Sequence, residues 1–390
     1  MYEAVVVGGG STGVSVLFHL ASKGARKILL VERSCLGCGQ TGYSSAIIRT
    51  QYSHPETRKM AVYGWRFFRE RFREETGCEE GAFYETGVAY GAGLDDAEPL
   101  RETASALRSE GIVVELMEPE EFAEKIHPVD TRGLALVSWE PHGGYGDPHT
   151  YVSCTARAAE EMGAELAVGR RVVGLELRGG SVVGVRLDTG EVVRAQTVVL
   201  AANVWTNELL EKHGESLPIA AAREDVVVFS HSGHVAGPVW ADMVLGFYSR
   251  REGAESTLVG GLEPEPVAEP GSLEPGHYRS PPADVVVKRG VAAERFRYLA
   301  TARPRAAWYG FYDVTPDWQP ILGEHPRIGG LVLAVGLSGH GFKLAPALGD
   351  VVSDIVLSGK PRLVDAKIYS LERFEEGRRE ESRFRHPILS

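Results

Sequence analysis

Apolar residues follow two rhythms along the chain. Short unbroken runs occur at residues 5–7, 28–31, 198–202 and 331–335, and such runs suit strands buried on both faces. After the first run, Val14, Leu17, Phe18 and Ala21 fall at the i, i+3, i+4, i+7 spacing of one helix face, so residues 14–22 are expected to be helical. The same period returns over residues 55–75, where Met60, Tyr63, Gly64, Phe67, Phe68 and Phe72 form an aromatic stripe that reads as core. Further helices are expected over 99–110, from 119 onward, and over 148–162, 283–299 and 344–357. Strands are expected over 85–91, 112–116, 134–139, 164–168, 172–177, 182–187, 191–193, 226–230, 244–249 and 257–262, several of them separated by glycine turns. Residues 263–282, rich in Pro, Glu and Gly, read as a surface loop. Residues 305–320, dense in Trp and Tyr, carry the chain back to its first part, and the charged run 371–390 reads as an exposed helix and tail.

The first strand feeds directly into Gly8, Gly9, Gly10, Ser11, Thr12 and Gly13, a G-x-G-x-x-G pattern. Gly8 suits the tight turn, Gly10 the close approach of backbone to a pyrophosphate, and Gly13 the packing of helix on strand. The helix N-terminus directs N–H groups and partial positive charge at the phosphates. The second strand ends on Glu32, followed by Arg33, and an acidic residue at this spacing accepts hydrogen bonds from a ribose. This unit alone does not distinguish NAD from FAD. A polar, glycine-rich stretch follows, in which Gly39, Gln40, Thr41, Ser44 and Ser45 are suited to line a flat ring and Arg49 places a cation after a short apolar run. Val172 and Val173, and then Ala201, Ala202, Asn203 and Trp205 after the later buried strand, are candidates to lie against the nucleotide.

A second glycine turn, Gly336 to Lys343, also opens a helix. Two such turns, one near each end of the chain, suggest one extended ligand, and FAD fits this better than NAD. No second G-x-G-x-x-G follows a strand to hold a nicotinamide nucleotide, so electrons would come directly from the substrate. Ser338, Gly339, His340, Gly341, Phe342 and Lys343 could aim N–H groups at the ring where negative charge gathers on reduction.

Through GGGSTG with Glu32, TGYSSAIIRTQYS, TVVLAAN, DVTPDWQPILG and GLSGHGFKLAPALGD, the chain resembles the FAD-dependent amine and amino-acid oxidoreductases. That family includes D-amino-acid oxidase, glycine oxidase, sarcosine oxidase and dimethylglycine dehydrogenase. The sarcosine oxidase type, including the β subunit of its heterotetrameric form, is the nearest match, through Ile47-Ile48-Arg49 and Gly341-Phe342-Lys343. The resemblance implies an α/β plus α+β architecture, a Rossmann-type FAD-binding domain with a β-meander interleaved with an antiparallel-sheet substrate domain. The expected boundaries are 1–84, 140–222 and 313–390 for the first and 85–139 and 223–312 for the second.

It also implies that Arg49 and Lys343 flank a small amino-acid substrate's carboxylate. His340 is then a candidate base or a residue that holds the turn, and Tyr248 or Tyr312 could help keep the amine neutral. Trp240, Phe247 and Trp308 are further candidates for an aromatic enclosure. Gly310 stands where monomeric sarcosine oxidase has its flavin-linking cysteine, and Tyr43 and Ser44 stand where dimethylglycine dehydrogenases have a histidine. Non-covalent FAD is therefore expected. The oxygen-activating lysine of sarcosine oxidase is also missing from residues 257–260. That favours a dehydrogenase, acting alone or as the flavin subunit of a complex that passes electrons to partner subunits.

Composition trims these readings. A net charge of −11 argues against nucleic acid or an anionic membrane surface as the main partner. No apolar run reaches the ~20 residues that span a bilayer, and Met1 is followed almost at once by a core strand, so a cytoplasmic protein is expected. The four cysteines suggest no disulfide framework. Cys35 and Cys38 stand in C-x-x-C spacing, which leaves a flavin-disulfide reductase as an alternative, while Cys78 and Cys154 look isolated. No metal site is expected.

Overall fold

The computed structural model describes residues 1–232, 237–267, 279–380 and 382–389. The middle of the loop expected over 263–282 lies outside them. A parallel sheet forms the first layer, in the order Leu331–Val335, Val192–Leu200, Tyr2–Val7, Ile28–Glu32 and Glu165–Val168. Each central strand divides its residues between two cores. Ala4, Val6, Ile28 and Leu30 pack with the helices, while Val5, Val7, Leu29 and Val31 pack with the β-meander on the other face. Alternation with burial on both sides explains why these strands read as continuous apolar runs.

Helices Ser11–Ser22 and Gly341–Ser358 cross closely on the helical face. A Cβ at Gly349 would sit 2.5 Å from the Ser15 carbonyl oxygen, so only glycine allows this approach. Helix Pro55–Arg66 packs on the same pair, with Gly64 against the Lys343 carbonyl. Both helices that carry glycine turns are thereby locked into one body.

The second layer is a nine-stranded sheet, antiparallel except where Val239–Asp242 runs parallel to Val88–Ala92. Its longest pairing joins Ala220–Ser230 to Arg303–Val314. The chain supplies the first sheet from residues 2–32, 165–200 and 321–335 and the second from 88–140, 220–266 and 303–314, so it passes repeatedly between the layers. No helix among the described residues is long and apolar enough to cross a membrane.

Several expectations need correction. The third meander strand and the later buried strand are one continuous strand, Val192–Leu200, whose first half pairs with the meander and whose second half joins the parallel sheet. The helix expected from Pro99 begins at Leu94, with Asp95 and Asp96 complementing the N-terminal dipole. The strand expected from Val244 begins at Phe247, because the Asp242 carboxylate accepts from the Val244 and Leu245 N–H groups and fixes a turn there. Residues 303–314, rich in aromatics, form a strand that the sequence reading did not identify.

The cysteines do form two disulfides, Cys35–Cys38 and Cys78–Cys154. The second joins the loop after one helix to the middle of another, 76 residues apart, a pairing that no local spacing announces. Nor is the C-terminal tail wholly exposed: residues 375–379 are, but its end is not. Phe384, His386, Ile388 and Leu389 are buried, and the Arg373 guanidinium binds the Asp317 carboxylate at 2.8 and 3.0 Å. The apolar positions are few and lie among charges, so they give no periodic signal.

Candidate active site

A long cavity runs from the first glycine turn to the second sheet. Its dinucleotide end is made largely of main chain. Gly8 has φ +111°, and a Cβ there would lie 2.4 Å from the Ala201 carbonyl oxygen, while a Cβ at Gly13 would fall 1.9 Å from the Gly8 oxygen. The loop and helix can close on each other only because both residues are glycine. The helix has no acidic residue in its first turn and no side-chain cap, so its positive end faces an anion unopposed. The Glu32 carboxylate bridges the Gly9 N–H at 2.7 Å and the Ser34 N–H at 2.9 Å.

Gly8, Gly10, Ser11, Thr12, Glu32, Arg33, Gly39, Gln40, Thr41, Ser44, Ser45, Val172, Ala201, Ala202, Asn203 and Trp205 all line this cavity, as do Gly339, Gly341 and Phe342 of the second turn. Arg33 stacks over the Trp205 ring at 3.9 Å. Gly13, Val173, Gly336, Ser338, His340 and Lys343 do not line it. Gly13 supports the loop from behind, and the Val173 carbonyl accepts from Lys212.

Sequence reasoning missed Arg170, Arg171, Glu208, Asp313 and Glu224, which also line the cavity. Asp313 ties the two cofactor-facing turns together, accepting from the Gly336 N–H at 2.6 Å and the Asn203 amide at 2.9 Å. Burial raises its carboxyl to about 7. Asn203 and Ser338 both have positive φ, 51° and 48°, strained values of the kind that functional turns hold.

The residues fit a bound dinucleotide. The Gln40 amide nitrogen and the Asn203 amide oxygen are buried without a protein partner among the described residues, and both residues border the cavity. Unmade hydrogen bonds of this kind are costly unless a ligand completes them.

At the ring end, Tyr248 and Tyr312 line the cavity beside Gly310, Phe311, Val226 and Glu224. The Tyr312 ring lies over Gly339, where a Cβ would be 3.1 Å from it. Desolvation raises both tyrosines above their usual range. Trp240 and Phe247 belong instead to the core on the sheet's other face, while Trp308 donates its indole N–H to the Tyr43 carbonyl.

Arg49, His340 and Lys343 form a buried cluster that does not line the cavity. Arg49 donates to the carbonyls of Gln51 at 2.5 Å, Leu389 at 3.2 Å and Ile388 at 2.8 Å, and stacks 4.0 Å over Tyr52. The C-terminal tail thus occupies its guanidinium. Burial, and then the Arg49 charge, holds Lys343 well below the usual lysine range. Burial also keeps His340 neutral, with Lys343 and Arg49 adding to the effect. Its Nδ1 meets the Tyr52 hydroxyl at 2.9 Å.

The cysteine pair of residues 35 and 38 brackets Leu36 and Gly37, which sit against Gly9. It therefore belongs to the dinucleotide end.

Comparison with known proteins agrees with this geometry. A family model described as "DAO: FAD dependent oxidoreductase" matches residues 3–355. The chain is 28% identical to bovine (Bos taurus) FAD-dependent oxidoreductase domain-containing protein 1, over 96% of this chain and 85% of that protein. It is 27% identical to 4-methylaminobutanoate oxidase (formaldehyde-forming) of Paenarthrobacter nicotinovorans, over 95% of this chain but 45% of that longer protein. Among solved structures, L-proline dehydrogenase from P. horikoshii shares the fold with a TM-score of 0.87 and 24% identity, covering 97% of this chain and 99% of that one.

Proposed function

The chain belongs to the DAO family of FAD-dependent oxidoreductases, and from that premise we propose that it oxidises a small or secondary amino acid, such as sarcosine, glycine or proline, to an imine that water hydrolyses. The coarser activity, FAD-dependent oxidation of amino-acid or amine C–N donors, follows from the family and its relatives. The chemistry that FAD supplies when bound is acceptance of a hydride from the substrate carbon next to nitrogen. What supports the amino-acid reading is the aromatic-walled ring end beside the second glycine turn, a space suited to a small molecule rather than to a second nucleotide. FAD is held without a covalent bond in this reading, since Gly310 and Tyr43 offer no thiol or imidazole at the cavity wall.

Arg49 and Lys343 are proposed to read the substrate carboxylate. A carboxylate would replace the tail carbonyls on Arg49, exchanging neutral acceptors for an anion and strengthening each hydrogen bond. Holding the acid group fixes the substrate's reacting carbon against the ring, and such orientation is a large part of catalysis. His340, neutral and bonded to Tyr52, positions the turn rather than moving a proton.

Replacing Arg49 by Ala tests this. Loss of a charge-assisted contact worth ~1.5–3 kcal/mol should raise KM for an amino acid by about ten- to a hundredfold while leaving the decarboxylated amine little changed. Equal losses on both would remove the carboxylate role. Parallel assays with oxygen and with an artificial dye then distinguish an oxidase from a dehydrogenase that needs a partner.

A further inference from the structure

Four carboxylates line the cavity, and three are already engaged with the fold or the nucleotide end. Glu32 bridges two N–H groups of the glycine loop, Glu208 pairs with Arg171 at 3.2 Å, and Asp313 ties the two turns. The fourth, Glu224, is at the ring end and is 3% exposed. It lies on strand Ala220–Ser230, alternating with Val226 and Val228 of the core that also holds Tyr248 and Tyr312.

Its setting is built. Glu224 accepts from the Gly261 N–H and from the Lys288 ammonium at 3.0 Å. Lys288 reaches it from helix Pro282–Arg295 through a gap that Gly261 leaves open, since a Cβ at 261 would overlap the lysine nitrogen. Directly across the strand pair from Glu224 is another glycine, Gly310. A buried ion pair of this kind seldom repays its desolvation in stability, and apolar residues would fill the wall at lower cost.

We propose that Glu224, held by Lys288, reads the substrate nitrogen and takes the proton that an ammonium must lose before oxidation. This rests on the proposed amine oxidation. In this step a substrate N–H bond breaks and an O–H bond forms on Glu224, with no electrons transferred. The nitrogen lone pair becomes free to assist departure of the hydride, and the proton leaves to solvent after turnover. In a closed cavity the transfer exchanges two poorly solvated charges for two neutral groups, which a low dielectric favours. Burial raises the Glu224 carboxyl to about 7, against the lowering effect of Lys288 and the Gly261 N–H, with Asp225 adding a raising effect. Tyr248 and Tyr312, the other titratable groups facing it, stay protonated because desolvation raises both.

The test uses the FAD-loaded protein and two probes that are not oxidised, an N-trimethylated amino acid and a carboxylic acid without nitrogen. Calorimetric titration of Glu224→Gln should weaken the cationic probe by about ten- to a hundredfold and leave the amine-free acid unchanged. This readout needs no turnover, so it separates failure here from failure of the oxidation reading. The pH profile of kcat/KM should rise through a limb near 7 in the parent protein and lose that limb in the variant. Equal weakening of both probes, or an unchanged limb, overturns the proposal. If Glu224→Gln does not fold, Lys288→Gln decides. Removing the ammonium must move the limb to higher pH, and an unmoved limb contradicts the role.

Discussion

At its dinucleotide end the cavity is built around one local unit, the glycine loop and Glu32, with residues from the stretches 170–172 and 201–209 closing over it. At its ring end the walls come from residues 43–45, 310–313, Glu224, Val226, Tyr248, Leu337, Gly339, Gly341 and Phe342, brought together only when two sheets meet. The first kind of site constrains residue type at fixed spacing, because a phosphate-binding loop tolerates only glycine where backbones approach. The second constrains geometry but leaves residue type open, so the same fold accepts different substrates. The cofactor end is therefore tightly constrained in residue type, while the substrate end and its surroundings rest on long-range pairings, the tail on Arg49 and the Glu224–Lys288 pair.

The largest way to break this contrast is at the cofactor end. Gly8→Val would place a branched side chain at φ +111° against the Ala201 carbonyl, and the account expects a loss above ~4 kcal/mol. Purified protein should be colourless or insoluble, measured as flavin per chain. A yellow, stable variant would show that the loop has room the account denies.

At the substrate end the expected change is smaller and of a different sign for binding. Leu389→Ala removes a side chain that is 4% exposed, which should cost ~2–3 kcal/mol and lower Tm. It also loosens the carbonyl that Arg49 holds at 3.2 Å, so KM for amino acids should fall while kcat holds. A rise in KM would mean that the tail is part of the substrate's wall rather than its competitor.

The smallest effect sharpens the comparison within the cofactor end itself. Glu32→Gln keeps one acceptor for the Gly9 N–H at 2.7 Å but removes the charge, which should weaken FAD by about fivefold through a loss of ~1 kcal/mol. Fluorescence quenching on FAD titration measures it. No change at all would mean that Glu32 serves only the loop.

How far the sequence could be read follows the same division. The glycine loop, Glu32 and the second glycine turn are local patterns with a physical cause at each position, and the structure brings most of the first turn, with Gly339, Gly341 and Phe342 of the second, to one cavity, while Gly13, Gly336, Ser338, His340 and Lys343 stand behind its wall. Arg49 and Lys343 were found by resemblance, and they do lie in one buried cluster. What no pattern showed is that Ile388 and Leu389 cover Arg49, because a few apolar residues in a charged tail have no period. Glu224 was hidden for a related reason. It stands in the charged run 223–225 just ahead of an apolar stretch, and nothing marks it as buried until its partner on helix Pro282–Arg295, Lys288, 64 residues away, is known. The Cys78–Cys154 link was invisible on the same ground.

The central claim is that this cavity oxidises an amino acid held by both its carboxylate and its nitrogen. It is tested most directly by mixing the yellow protein, without oxygen, with sarcosine, glycine and proline and with their decarboxylated amines, and following flavin absorbance. The account predicts bleaching by at least one of these amino acids and little or none by its decarboxylated counterpart. If none of the amino acids bleaches a flavin that dithionite reduces normally, or if the bare amines bleach it as fast, the account is contradicted.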